Sequence, residues 1–305
     1  MKKLLLATCA LFLTVSVARA QGTRRQEQVE MEWMTSPEIY SAIHEHGKMT
    51  AIVFTGGTEQ RGPHGVLGGH TFMARGISAE IARTLGNALV APVLAFSPTS
   101  LVGPRIPGGV ALSPEVFRKV NEAVVESLIT GGFKNVILMG DHGSGQEELD
   151  KMAQVMDAKY APQGIRVVFC KDVYEKAREV FDNYAKSTMK EGFAYGTHAG
   201  LYDTSLLLYL QPRPEAYVRN NYKAVTPHPG PVPGPPRDRS QPRDRSQPRS
   251  RSQQAEPEPG SADNGVAGDP RFATPELGKK MMEIKVQLAV DEIHKKLAAN
   301  ASSRP

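Results

Sequence analysis

The chain has 305 residues, 40% hydrophobic and 23% charged. That composition excludes a wholly disordered chain and a multi-span membrane protein, and the length allows one large domain or two small ones. The net charge of +5 invites a nucleic-acid reading, which depends on where the charges sit.

The chain opens Met1-Lys2-Lys3, runs apolar from Leu4 to Val17, and continues Ala18-Arg19-Ala20-Gln21. A basic start, a short apolar core and an A-x-A ending read as a secretory signal peptide over 1–20, cleaved after Ala20. The apolar run is too short for a stable bilayer anchor. The expected location is therefore secreted or periplasmic, with no membrane attachment after cleavage. Only Cys170 would remain, so no internal disulfide is expected. It follows Val167-Val168-Phe169 and reads as a buried strand residue rather than a nucleophile.

Residues 36–47 predict a helix with Ser36 as N-cap, Pro37 in its first turn and Gly47 at its end. Thr50 to Phe54 is a short apolar run, read as a buried strand, before a Gly-rich loop over 55–70. A helix is predicted over 71–86 and a strand over Ala88–Leu94. Residues 113–131 predict a helix with Ser113 as N-cap, Pro114 at the first position and Glu115 in the first turn. Asn135–Met139 is a third strand, followed by a second polar, Gly-rich loop over 140–146. Gln146–Tyr160 is a helix and Ile165–Cys170 a fourth strand. Further helices are predicted from about Thr204 to Leu210 and from Pro275 to Ala299. Strands alternating with helices argue an α/β fold with a mostly parallel sheet, and in such folds chemistry gathers beyond the carboxyl ends of the strands.

Residues 226–264 hold almost no aliphatic side chains and much proline, which predicts a disordered insertion within a single domain over 21–305. Its centre, PPRDRSQPRDRSQPRSRSQ (235–253), repeats Pro-Arg-Asp-Arg-Ser-Gln. Loss of Lys2, Lys3 and Arg19 with the signal peptide takes +5 to +2. The tract's six arginines against Asp238 and Asp244 supply +4, so the remainder stands at −2. The folded body is not basic. The tract lacks the aromatic interleaving of single-strand binders, so a solvated insertion outweighs a nucleic-acid or anionic-polymer site.

Three loops collect imidazole and carboxylate. The first carries Glu59, His64 and His70; the second, Asp141 and His142; a third (196–205), His198 and Asp203. That is a ligand set for a divalent transition metal, which lowers the pKa of bound water and polarises a carbonyl. Turn residues and satisfied histidines are the bland alternative, and composition alone leaves the two evenly balanced. His44, His46 and His294 read as helix-surface residues. There is no G-x-x-x-x-G-K-[ST] or G-x-G-x-x-G, so no nucleotide cofactor is expected, and no G-x-S-x-G, so a serine hydrolase is unsupported.

Taken together, five stretches resemble the creatininase (creatinine amidohydrolase) family: TGGTEQRGPHGVLGGHT (55–71), IPGGVALS (106–113), SLITGGFKNVILMGDHGSGQ (127–146), HAGLYDTS (198–205) and GVAGDPRFAT (265–274). Each is modest alone; their order and spacing are specific. The resemblance implies a layered α/β/α sandwich and a metal centre, often binuclear, of zinc, manganese or iron. It also implies hydrolysis of a cyclic or linear amide C–N bond in a small molecule, and a homo-oligomer. Residue by residue it makes Glu59 and His142 metal ligands and His198 the catalytic histidine, with Asp203 in place of a glutamate.

Three positions depart from the pattern. Arg61 stands where the family has a second metal histidine, and arginine stays protonated and cannot ligate. His70 stands where the bridging aspartate stands, and Ser144 replaces an acidic ligand. One tightly bound divalent metal per chain is therefore expected, zinc first, held by Glu59, His70 and His142. Asp203 is the next candidate ligand or the base for the metal's water. His198 would pass protons to the leaving nitrogen, and Arg61 would act as an electrophile or bind a substrate carboxylate. The alternative is a catalytically degenerate member that binds a ligand or partner.

Overall fold

The computed structural model describes residues 27–102, 107–189, 198–225 and 265–299. The predicted signal peptide, the whole 226–264 insertion, and Ile106 of the second motif lie outside these residues.

Four strands form one parallel sheet: β1 (Thr50–Thr55), β2 (Ala88–Val90), β3 (Asn135–Gly140) and β4 (Arg166–Phe169), in the order β2-β1-β3-β4. Around them lie α1 (Ser36–His44), α2 (Gly69–Leu85), α3 (Pro114–Thr130), α4 (Gln146–Tyr160), α5 (Glu175–Thr188), α6 (Leu201–Leu210) and α7 (Pro275–Ala298). Strand side chains alternate between faces, so β1 sends Ile52 and Phe54 into one core and Ala51 and Val53 into another. The first core takes apolar residues from α2, α5, α6 and α7; the second from α1, α3 and α4. β1 and β3 are buried almost throughout, as strands covered on both faces must be. The predicted α/β/α sandwich is therefore the observed layering.

Local chemistry sets most boundaries. Ser113 accepts a hydrogen bond from Val116 N with Pro114 at the first helical position, as the sequence indicates. α1 is capped one residue earlier than expected: Thr35 and Glu38 form a reciprocal capping box, and Ser36 is already helical. The second strand stops at Val90, short of the expected Leu94, because Pro92 offers no N–H to extend the ladder. Beyond it the pairing continues only loosely, through Ala91 N to Ile52 O (2.9 Å) and an isolated bridge between Thr55 and Leu94. α5 was not anticipated, although Ala177, Phe181 and Ala185 bury one helical face at intervals of four. Gly278 lets α7 lie directly on α6, since a Cβ there would sit 2.0 Å from Ser205 O.

The strand order fixes the site. From β1 the chain turns to the edge strand β2, then crosses back to β3 on the other side of β1. The helices that follow β1 and β3 pack on opposite faces, α2 on one and α4 on the other. The loops leaving the carboxyl ends of β1 and β3 therefore start side by side at the switch point of the sheet, the place where open α/β folds gather their chemistry.

Candidate metal centre

The loop after β1 is folded tightly back on itself. Gly65 N donates to Arg61 O (3.1 Å) across a turn that contains Gly62 at φ +67°. The strap 217–219 pins the turn from outside, with Val66 N donating to Tyr217 O (3.1 Å) and Arg219 N to His64 O (2.8 Å). Glu59 sits before this turn and His70 after it, in the first turn of α2 rather than in the loop. His142 comes from the loop after β3, which Gln146 braces by donating to Gly140 O (2.9 Å) and His142 O (2.7 Å).

Glu59, His70 and His142 converge. One ligand atom from each lies within 4.8 Å of the others, and all three residues are buried. His142 Nε2 is 2.9 Å from Glu59 Oε2, and His70 Nε2 is 3.3 Å from Glu59 Oε1. Thr99 Oγ1 also donates to Glu59 Oε2 (2.8 Å). The His70 and His142 rings meet edge to face with centroids 4.8 Å apart. One carboxylate and two imidazoles match zinc or a similar ion, which binds such donors at about 2 Å. Burial alone would push the Glu59 carboxyl up, but hydrogen bonds from His142 and His70 outweigh it and hold the carboxylate well below its ordinary range.

A second tier backs His70. Its Nδ1 donates to Asp141 Oδ2 (2.9 Å), while Asp141 Oδ1 accepts from Lys285 Nζ (3.1 Å) on α7. A carboxylate behind a histidine fixes the tautomer so that the other nitrogen faces the ion. Burial and the Arg61 charge oppose protonation of His70, yet Asp141 and Glu59 together raise its pKa. For Asp141, burial is outweighed by the Lys285 charge and the His70 bond, which lower its pKa to about 2. Asp141 is a donor of the second loop with no assigned role in the sequence, and Lys285 has no sign there. Asp141 was visible beside His142, but only the packing of α7 reveals its role.

His198 reaches the same cluster. Its Nδ1 is 3.4 Å from Glu59 Oε1 and its Nε2 is 2.7 Å from Gln60 O. The carbonyl can only accept, so the proton sits on Nε2 and Nδ1 turns a lone pair towards Glu59. Burial and the Arg61 charge lower its pKa, keeping it neutral. The segment after Gly265 braces it, with Ala267 N (3.1 Å) and Gly268 N (3.2 Å) donating to His198 O. The next residue, Ala199, takes a left-handed φ of 54°, a strained state for a residue with a Cβ.

Asp203 is not part of the Glu59/His70/His142 cluster. Its Oδ2 accepts from Arg61 Nη1 (2.6 Å) and from Ala199 N (3.0 Å), which pairs it with Arg61. Burial pushes its carboxyl up, and the Arg61 charge more than compensates. Arg61 is 1% exposed and among the largest fully buried side chains. Ser144, at the third departing position, is exposed. His64 is buried against Thr204 (3.1 Å), and burial lowers its pKa to about 4. His44, His46 and His294 are exposed, as expected; His228 lies outside the described residues. Cys170 is a buried core thiol whose pKa burial pushes up.

The family model described as "Creatininase: Creatinine amidohydrolase" matches residues 32–293. No curated protein matches. Among solved structures, a creatinine amidohydrolase (creatininase) is similar at 20% identity, covering 88% of this chain and 98% of that one, with a TM-score of 0.65. A structure described as creatininase Mn gives 20% identity, the same 88% coverage against 99%, and 0.65. A creatininase mutant of Zn-Zn type gives 22%, 88% against 98%, and 0.63. The likeness to these structures is one of fold; the match of the family model over most of the chain shows that it belongs to the creatininase family.

Proposed function

We propose that the chain is a metal-dependent hydrolase of an amide C–N bond in a small cyclic or linear molecule. The observation that carries this is the buried Glu59/His70/His142 cluster with the lone pair of His198 Nδ1 directed at it. A divalent ion held by those three would polarise the amide carbonyl and make its bound water acidic. Neutral His198 takes a proton at Nδ1 as water attacks and returns it to the leaving nitrogen; its Nε2–H bond to Gln60 O keeps the ring in register. Asp203 holds Arg61, whose fixed charge stands at the position the family fills with a second metal histidine. The site therefore takes one ion per chain, with zinc the best match to one oxygen and two nitrogen donors and manganese or iron as alternatives. Asp141 and Lys285 orient His70 from behind.

Export through the 1–20 segment and assembly into a homo-oligomer complete the reading. Trp33 and Tyr40, exposed on the surface near α1, are candidates for the contact between copies.

The test is metal analysis of the purified chain with turnover on a panel of cyclic ureides and N-acyl amino acids. One equivalent of metal, and activity lost in Glu59→Gln and His142→Ala, are expected. Two equivalents per chain would sink the one-metal site. A fully loaded protein that turns over nothing would leave a binding protein on the same fold.

A further inference from the structure

Arg61 is buried, yet only part of its guanidinium is used. Nη1 donates to Asp203, while Nε and Nη2 have no hydrogen-bond partner among the described residues. Leaving two donors of a buried cation unmet is costly, so such a pair calls for a missing partner. These two nitrogens form one edge of the guanidinium, with parallel N–H bonds spaced to match two carboxylate oxygens.

The position of that edge narrows the partner. A Cβ on Gly69 would lie 2.6 Å from Nε and 2.6 Å from Cδ, so the guanidinium stem runs over the first residue of α2. Only glycine permits this approach. His70, the ligand, is the next residue, and the amino end of a 17-residue helix adds positive potential at the same point. The charge balance agrees. Glu59, Asp141 and Asp203 face Arg61 and Lys285, a balance of −1 that one divalent ion turns to +1. One negative charge on the substrate restores neutrality.

We propose that the substrate carries a carboxylate close to its scissile amide, and that the free Nε–Nη2 edge of Arg61 receives it. The substrate class is thus an acidic amide, a cyclic ureide or N-acyl compound bearing a carboxylate, rather than a neutral lactam. This rests on the amide-hydrolase reading for the bond that is cleaved, but the anion site itself does not.

Two measurements separate the claims. Glutarate, which has no C–N bond, is titrated calorimetrically into the zinc-loaded full chain. N-formylglycine and N-formylglycinamide are compared as substrates. Glutarate should bind about tenfold or more weakly to Arg61→Lys, which keeps the charge and loses the fork. It should also weaken with Gly69→Ala, whose methyl group would sit 2.6 Å from Nε and displace the guanidinium edge. N-formylglycine should exceed its amide in kcat/KM by a similar factor, and the preference should vanish in Arg61→Lys. Glutarate affinity unchanged in both variants, at unchanged zinc content, overturns the anion site. Arg61-dependent glutarate binding with neither formyl compound cleaved upholds the anion site and counts against the hydrolase. Equal cleavage of both compounds, alike in wild type and Arg61→Lys, does the reverse.

Discussion

Lys285, near the middle of the last helix, places its Nζ 3.1 Å from Oδ1 of Asp141, just past the end of β3. The same ammonium donates to Val173 O (3.0 Å), and the other oxygen of Asp141 holds His70. A helix more than a hundred residues away in the chain thereby sets the orientation of a candidate metal ligand, His70. Both members of the pair are buried, so the pair cannot be halved cheaply.

Replacing Lys285 by Met leaves the Asp141 carboxylate buried without its cation. Breaking a buried ion pair from one side costs about 3–5 kcal/mol, and denaturant unfolding of the metal-free protein should show a loss of that order. Adding Asp141→Asn to the same chain should recover part of it, because the stranded charge is gone. Equal stability of Lys285→Met and wild type would remove the ammonium from the account.

Asp141→Asn alone strands the buried Lys285 ammonium and so costs stability as well, but its distinctive effect is on the ion. The asparagine keeps the shape but weakens the acceptor behind His70. Outer-shell carboxylates of this kind are worth about 10–100-fold in metal affinity. Chelator competition with zinc should show a loss in that range, with far-ultraviolet circular dichroism unchanged.

Zinc itself should stabilise the fold, because its three ligands come from the loop after β1, from α2 and from the loop after β3, and the unfolded chain does not hold them together. At a free ion concentration a hundred times the dissociation constant, linkage gives about 2.7 kcal/mol. Calorimetric melting should therefore move upward with zinc and return on chelation. A midpoint indifferent to zinc would count against the centre.

His64 gives a pH dependence whose sign follows from its burial. Its native pKa lies at about 4, against an ordinary 6.5. Between those values the unfolded chain binds a proton that the native one does not, so stability falls as pH drops from 6.5 towards 4 and is fully present above 6.5. His64→Gln should flatten that part of the stability profile. An identical slope in wild type and variant, measured by urea unfolding, would contradict it.

The local rules were legible where they act locally. Ser113 with Pro114, and the apolar runs of β1 and β3, gave elements that folded as read. Predictions slipped where a neighbour decides. Pro92 ends β2 because the ladder to β1 needs its missing N–H, and Thr35 caps α1 because Glu38 reaches back to it. α5 carried a readable spacing of Ala177, Phe181 and Ala185, diluted by its many charged residues.

For the site, sequence alone determined the donors. Glu59, His70 and His142 carry chemistry that suits a divalent ion in any fold, and Arg61 is excluded as a ligand because guanidinium does not deprotonate. What joins what was decided by the tertiary structure. Asp203 reads from the sequence as a ligand or a base, and its pairing with Arg61 appears only because α6 carries it to the turn after β1. Lys285 had no readable role until α7 packed beneath β3. The reason is physical: donor chemistry belongs to a residue type, whereas a buried charge takes its function from whichever opposite charge the fold places within hydrogen-bond reach.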